Sequence, residues 1–412
     1  MFLYGILSTV VFIIGMPFVL GARKIIGKSN AGIKEKLGFI DMPELGEEDI
    51  IMLHGVSVGE VIALENLAKQ LKKTFPHKKL VVTTGTKTGQ EIAQKKYAEI
   101  ADFITYFPYD IPFCVNKFLD TIKPSTVLIA ETEIWPYFAY ACNERSIPIF
   151  IINGRISDST FKSYEKVKFF FKKVFENFTA IYTQSEDDRR KYIEIGASEN
   201  KVEVMGNLKF DVKRKDADIQ MGQQGYRVII AGSTHSGEDE IVLKTFKELK
   251  EKHSDIKLLL APRHPKRIPD VESLAKRMGF NYGLRSRDDK FNEYDLILLD
   301  TLGELGKMYS ICEFAFIGGS FNKTGGHNPL EATVYDKPTI TGPSIHNFKD
   351  IYWTLDKTDA GKIVKTPEEL KNYMDKLLSD KDFYNKACQD CKTVFEAQQG
   401  ALDFVISKLK EY

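Results

Sequence analysis

At 412 residues the chain is too long for a single hydrophobic core and calls for two domains. Its 58 basic and 57 acidic side chains leave a formal net charge of +1, which excludes the strongly basic body of a general nucleic-acid binder. Five cysteines (Cys114, Cys142, Cys312, Cys388 and Cys391) are scattered through a core-rich chain, which excludes a disulfide scaffold and suits a reducing compartment.

Met1 to Ala22 carries no charged side chain, and about 20 such residues cross the roughly 30 Å hydrocarbon layer. The basic residues Arg23, Lys24 and Lys28 follow this run rather than precede it, unlike a cleaved signal peptide. Residues 1–28 therefore read as a membrane anchor, with everything after it on the cytoplasmic side of an inner membrane. Gly15 and Pro17 weaken a straight span and leave a helix lying in the membrane surface as the alternative.

Strand and helix signals then alternate. Apolar, β-branched runs at 50–53, 80–84, 126–130, 147–152 and 180–183 read as strands separated by helices, the last of them a long basic-aromatic helix over Phe161–Phe178. A polar stretch, Lys213–Gly225, reads as a linker, and the alternation resumes with strands at 227–231, 256–260, 296–299, 314–317 and 339–340. The organisation predicted is α/β throughout: a first domain over 29–212, a linker over 213–225, a second domain over 226–385 and a C-terminal helix over 386–412, each domain built on a parallel sheet. The pair Cys388-x-x-Cys391 falls in a charged, helical segment with no strand before it, a poor setting for redox or zinc chemistry.

Ligands of open parallel sheets bind beyond the C-terminal strand ends, so the loops there carry the chemistry. In the first domain they hold Ser57, Gly59 and Glu60, then Glu131 and Glu133, then Arg155. Ser57-x-x-Glu60 is formally a capping box, yet Glu60 also stands where a carboxylate could take a proton from a sugar hydroxyl, and a helix N-terminus would keep it charged. Glu131 and Glu133 share one face if their strand stays extended. In the second domain the loops hold Ser233 and Thr234, Arg263 and His264, Gly303 and Glu304, and finally Gly318-Gly319-Ser320 followed by Gly325-Gly326-His327-Asn328-Pro329-Leu330-Glu331. Glycines allow close backbone approach, Asn328 fits a helix N-cap with Pro329 at the first helical position, and Glu331 could accept both hydroxyls of a ribose. Arg263 presents a planar fork suited to phosphate oxygens.

Ser57-Val58-Gly59-Glu60, Glu131-Thr132-Glu133-Ile134-Trp135-Pro136, Gly206-Asn207-Leu208-Lys209-Phe210-Asp211, Pro262-Arg263-His264-Pro265 and Gly325 to Glu331 together resemble the motif set of the Kdo transferases, in order, from roughly residue 50 to 350. Those enzymes move 3-deoxy-D-manno-octulosonic acid (Kdo) from CMP-Kdo onto the lipid A precursor (lipid IVA) in lipopolysaccharide core synthesis. The resemblance implies a GT-B fold, two Rossmann-like domains facing a cleft, with the C-terminal helix returning to the first domain. It implies Glu60 as catalytic base and Glu131 as a second acidic site residue, with Ser57, Gly59, Glu133 and Arg155 on the acceptor side. The donor nucleotide would lie against Ser233, Thr234, Arg263, His264, Gly303, Glu304, Gly318, Gly319, Ser320, Gly326, His327, Asn328 and Glu331, with Lys209 reaching it from the hinge. One in-line displacement would invert the anomeric centre with no cofactor and no metal. The triplets Asp216-Ala217-Asp218 and Asp380-Lys381-Asp382 fall in the linker and between helices, not in metal-site settings. The partners implied are CMP-Kdo and a membrane-borne lipid A precursor, with no nucleic acid. Rival readings are a membrane-associated GT-B transferase using a UDP-sugar and a sugar-nucleotide epimerase of the same fold.

Overall fold

A computed structural model describes residues 1–25, 32–46, 49–214, 219–222 and 224–412. Lys28 and the triplet Asp216-Ala217-Asp218, singled out above, lie outside the described residues, as does part of the expected linker. The chain divides into two compact units, Met1–Asp211 with Gln398–Tyr412, and Val212–Ala397.

The first unit holds seven strands: β1 (Ile50–His54), β2 (Lys79–Thr84), β3 (Phe103–Tyr106), β4 (Thr126–Ala130), β5 (Ile149–Gly154), β6 (Ala180–Thr183) and β7 (Val202–Val204). All pairings are parallel, in the order β3-β2-β1-β4-β5-β6-β7. The second unit holds β8 (Arg227–Thr234), β9 (Ile256–Pro262), β10 (Tyr282–Leu284), β11 (Leu296–Leu298), β12 (Phe314–Ile317), β13 (Thr339–Thr341) and β14 (Gly361–Ile363), again all parallel, in the order β10-β11-β9-β8-β12-β13-β14. Helices cover both faces of each sheet, which is why the central strands read as unbroken apolar runs. In β1, Ile50 and Met52 join one core while Ile51 and Leu53 join the core on the opposite face. In β12, Phe314 and Phe316 face one core and Ala315 and Ile317 the other.

The chain order reverses between β1 and β4 in the first sheet and between β8 and β12 in the second. At such a switch the loops from the two strands leave in opposite directions and open a crevice at the C-terminal strand ends.

The N-terminal residues form a helix, Phe2–Ile25, with Pro17 inside it. Among the described residues no helix is long and apolar enough to cross a membrane, so the membrane-crossing anchor expected over 1–28 is not supported. One flank of the helix is committed to the first unit instead. The Tyr4 hydroxyl donates to Asp110 at 2.9 Å, Gly5 is buried close to Pro112 and Tyr137, and the Phe12 ring lies 5.0 Å from that of Tyr109. The opposite flank leaves Leu3, Leu7, Val11, Ile14 and Phe18 more than half exposed.

The single basic-aromatic helix expected over Phe161–Phe178 is two helices, Asp158–Glu165 and Lys168–Phe175. Val167, at φ −125° and ψ 31°, leaves helical geometry between them. Phe171, Val174 and Phe175 are buried and Phe169 is exposed. Near the C-terminus, helix Lys381–Glu396 carries Cys388 and Cys391, both free, with both thiols pushed up by burial. Asp380 of the second Asp-x-Asp triplet caps that helix by accepting from Phe383 N at 2.9 Å.

Helix Ala401–Leu409 packs Ala401, Val405, Ile406 and Leu409 onto the first unit's core beside Leu64, Leu67 and Leu71. Its entry is fixed by Asp211, whose carboxylate accepts from Gly400 N at 2.7 Å and Leu402 N at 2.6 Å. Asp211→Ala removes this cap and should loosen the helix by about 1–2 kcal/mol. Hydrogen exchange should then report faster exchange of the 401–409 amides, with the β1 and β4 amides still protected.

Candidate active site

In the first unit the crevice between β1 and β4 gathers Glu60, Glu131 and Glu133. Ser57 caps helix Val58–Ala63, and the capping box forms: Glu60 N donates to Ser57 Oγ at 3.4 Å, Ser57 Oγ donates to Glu60 Oε1 at 2.6 Å, and Val56 N donates to Glu60 Oε2 at 2.8 Å. Capping and a role in chemistry coexist, because each carboxylate oxygen keeps a lone pair. The expectation that the helix start keeps Glu60 charged is opposed. Burial raises its carboxyl above the ordinary value and Glu131 adds to this, against the lowering by Ser57 and Val56. Gly59 is exposed on the same helix turn.

Glu131 and Glu133 do not lie on one extended strand. β4 ends at Ala130 and Glu131 sits at φ 57°, in the left-handed region. The bend keeps Glu131 N on Ile152 O at 2.9 Å and still leaves the carboxylates close. Burial, then Glu60, then Glu131 push the Glu133 carboxyl up to about 7. The Thr132 hydroxyl donates to Arg155 O at 2.8 Å, tying the loops after β4 and β5 together.

Lys209, expected to reach toward a donor, belongs to the first unit and places its ammonium 3.3 Å from Glu131 Oε1. A buried amide network that sequence reading missed holds it there. Asn207 Oδ1 accepts from Lys209 N at 3.0 Å, Asn207 Nδ2 donates to Gln184, Gln184 Nε2 donates to Asn153 O, and Asn153 Oδ1 accepts from Leu208 N. Asn153 pays for its place with φ 54°, a conformation asparagine tolerates better than most residues. His54, at the end of β1, is fully buried against the Phe107 ring and held neutral by that burial, at about 3.

In the second unit the crevice between β8 and β12 is organised by Glu238, which is 1 % exposed. Its carboxylate accepts from Gly319 N at 2.7 Å, Ser320 N at 2.8 Å, Phe321 N at 2.9 Å and His235 N at 2.9 Å. Gly318, Gly319 and Ser320, expected to let a donor nucleotide approach closely, are therefore turned inward. These residues are buried, and the N–H groups of Gly319 and Ser320 already hold an internal carboxylate. Gly318 is needed for packing: a Cβ there would meet Ser233 O at 2.5 Å. Thr234 is also withdrawn, fully buried with its hydroxyl on Asp239 at 2.6 Å, and Asp239 pairs with Arg267.

Ser233, at φ 58°, His235 and His327 remain partly exposed, and Arg263 and His264 are exposed beyond β9. Gly326, at φ 74°, is buried and donates its N–H to Gly319 O at 2.7 Å. Asn328 Oδ1 accepts from Leu330 N at 3.1 Å, but the helix is a single turn, Leu330–Thr333, with Pro329 rather than Asn328 at its N-cap. Glu331 lies on that turn; burial, and then the charge of Glu331, push the Tyr309 phenol up. Glu304 is engaged: burial alone would raise it, but Thr301, Lys307 and Arg285 outweigh that and bring it to about 2. Its neighbour Gly303, at φ 80°, has open space around its Cα. Among the described residues, no group of three or more His, Cys, Asp or Glu side chains could hold a metal ion.

The sequence profile of the 3-deoxy-D-manno-octulosonic-acid transferases (kdotransferases) matches residues 31–212. The chain is 33% identical to the 3-deoxy-D-manno-octulosonic acid transferase of Haemophilus influenzae over 92% of this chain and 91% of that one. It belongs to the Kdo transferase family. A further transferase of that description, from Rickettsia bellii, is 32% identical over 87% of each chain. By structure the chain is similar to UDP-GlcNAc 2-epimerase from Neisseria meningitidis, with a TM-score of 0.53 at 13% identity, covering 88% of this chain and 100% of that one. That likeness concerns the fold alone; the Kdo transferase relationship is carried by sequence over nearly the whole chain.

Two measurements test this geometry. Because the folded Glu133 carboxyl binds its proton more tightly than an unfolded one, folding is favoured below the ordinary carboxyl range and loses that contribution as pH rises to about 7. Glu133→Gln should flatten the decline in urea-unfolding stability of the first unit between pH 5 and 7.5. Glu238→Gln turns one acceptor into a donor facing N–H groups, and should destabilise the second unit by about 1–3 kcal/mol in the same assay.

Proposed function

We propose that this protein transfers Kdo from CMP-Kdo to a hydroxyl of a lipid A precursor in lipopolysaccharide core synthesis, by one inverting displacement with Glu60 as base. Membership of the Kdo transferase family supports Kdo transfer. The observation that carries the mechanism is the Glu60 carboxylate at the β1–β4 switch, half-buried, held by Ser57 and Val56 and raised toward neutrality. A base of that kind accepts a sugar hydroxyl proton more readily than a fully solvated carboxylate does.

In the proposed reaction Glu60 takes the proton as the acceptor oxygen bonds to the anomeric carbon, and the bond from that carbon to the CMP phosphate oxygen breaks. The leaving phosphate gains charge, which Arg263 is placed to stabilise, and Glu331 takes the ribose hydroxyls. Glu131, held by Lys209, and Glu133 would orient the acceptor with Ser57, Gly59 and Arg155. The GT-B architecture implied by the family is consistent with the two parallel-sheet domains.

The acceptor lies in a bilayer, and the exposed apolar flank of helix Phe2–Ile25 supports contact of that helix with the membrane surface. The basic residues Arg23 and Lys24 at the end of the helix sequence, with Lys28 after it, support the cytoplasmic face of an inner membrane.

Glu60→Gln preserves a capping-box side chain, so the variant should fold and bind CMP normally. Turnover with CMP-Kdo and lipid IVA, read by mass spectrometry of the lipid product, should fall by a factor of order 10²–10⁴. Near-normal turnover would leave Glu60 as a cap only. Conversion of a UDP-sugar without any acceptor would favour the epimerase reading. Replacing Leu7, Val11 and Ile14 by glutamate should abolish flotation of the protein with anionic vesicles while leaving activity on detergent-dispersed acceptor.

A further inference from the structure

Two histidines at the β8–β12 crevice meet in a way that the reading of the donor site does not use. His235 follows β8 directly, and His327 comes from the loop after β12. Their Nε2 atoms are 2.9 Å apart, the rings are 9° from parallel and the centroids are 5.2 Å apart. That centroid separation is close to the N–N distance plus one ring radius on each side, so the rings meet edge to edge along a hydrogen bond rather than face to face. Both partners are fixed from outside the pair. Glu238 holds His235 N, Tyr352 Oη donates to His327 O at 2.6 Å, and His327 N donates to Gly318 O. A Cβ on Gly319 would press on the His327 ring at 2.9 Å, so glycine there leaves room for the ring.

We propose that His235 and His327 form one proton-holding pair, which takes up a proton when the nucleotide's phosphate docks beside Arg263 and so becomes a cationic partner of that phosphate. The proposal rests on the reading of the second unit as the nucleotide site. An Nε2···Nε2 hydrogen bond between imidazoles holds a single proton, so one ring donates and the other accepts. The donating ring, when neutral, has a bare Nδ1. A second proton can land there without breaking the shared bond, which becomes charge-assisted and stronger. The pair can therefore change charge without moving.

The groups around it favour neutrality until an anion arrives. Burial, then Arg263, His235 and His264, hold His327 down at about 4. Burial likewise lowers His235, opposed by Glu238 and reinforced by His264, Arg267 and Arg263. Glu238 is engaged by four backbone N–H groups and Arg267 is paired with Asp239, so neither is free to reorient toward the rings. A phosphate dianion beside Arg263 offsets that cation's repulsion and adds its own attraction, raising the pair's proton affinity. Binding is then coupled to proton uptake, and it strengthens as pH falls through the liganded pair's titration, until the phosphate's own second ionisation near pH ~6 opposes it.

The test is calorimetric titration of the full-length protein with CMP at pH 7.0 in buffers of different ionisation enthalpy, which gives the number of protons taken up. Wild type should take up a substantial fraction of a proton. His235→Gln and His327→Gln keep a polar group near the Nε2 position but cannot titrate. Each should lose the uptake and bind CMP about tenfold more weakly, the scale of one charge-assisted hydrogen bond. An unchanged thermal midpoint in both variants separates loss of charge from loss of fold. CMP binding without proton uptake in wild type, or uptake that persists in both variants, overturns the pair while leaving the nucleotide site standing. Absence of CMP binding in wild type overturns the nucleotide site and the pair with it.

Discussion

The buried carboxylate of Glu238 governs what the second unit can offer a ligand. Parallel strands end with backbone N–H groups pointing out of the sheet edge, and buried N–H groups must find acceptors. Here one side chain supplies the acceptor for both loops of the switch point, bonding His235 N on the β8 side and Gly319, Ser320 and Phe321 N on the β12 side. The loops are thereby held in one arrangement, and that fixes where His235 and His327 project. The glycine-rich loop serves as the frame of the site, and the side chains beside it form the surface.

Glu60 occupies the matching place in the first unit, on the helix that follows the first strand of its switch point, and its circumstances are the reverse. It accepts from Val56 N and the Ser57 hydroxyl and stays partly exposed, with capacity for a further proton, whereas Glu238 is buried and saturated. The same residue type at equivalent positions of two sheets is thus a saturated structural acceptor in one and a helix cap with acceptor capacity to spare in the other. Neighbouring charge sharpens the contrast. Glu60 faces Glu131 and Glu133, and of the three Glu131 has Lys209 as its cation.

Ten strands were legible in the sequence, and the four that were not, β3, β7, β10 and β14, are the four sheet edges. A central strand is covered on both faces and must be apolar throughout, as with Thr126–Ala130, buried at every position. An edge strand such as Val202–Val204 is buried at one residue of three and carries a glutamate, so its signal sinks into the surrounding polar sequence. The placement of Glu60, Glu131 and Arg263 beyond C-terminal strand ends was legible because they follow strong strands. Glu238 was not, since Gly237-Glu238-Asp239-Glu240 reads as the acidic first turn of any helix. The left-handed turn at Glu131 and the Asn153–Gln184–Asn207 network arise from tertiary packing of loops far apart in the chain, where local pattern carries no signal.

The return of the last helix makes the second unit an insertion within the first. The core around Leu64, Leu67 and Leu71 lacks one wall until Ala401–Leu409 arrives, some 330 residues later in the chain. During synthesis the second unit can complete its core as soon as Ala397 has emerged, while the first, though made earlier, waits with an apolar face uncovered. The order of folding on the ribosome is then inverted with respect to the order of translation, and any chain released before Leu409 keeps its first unit open to proteases and to aggregation.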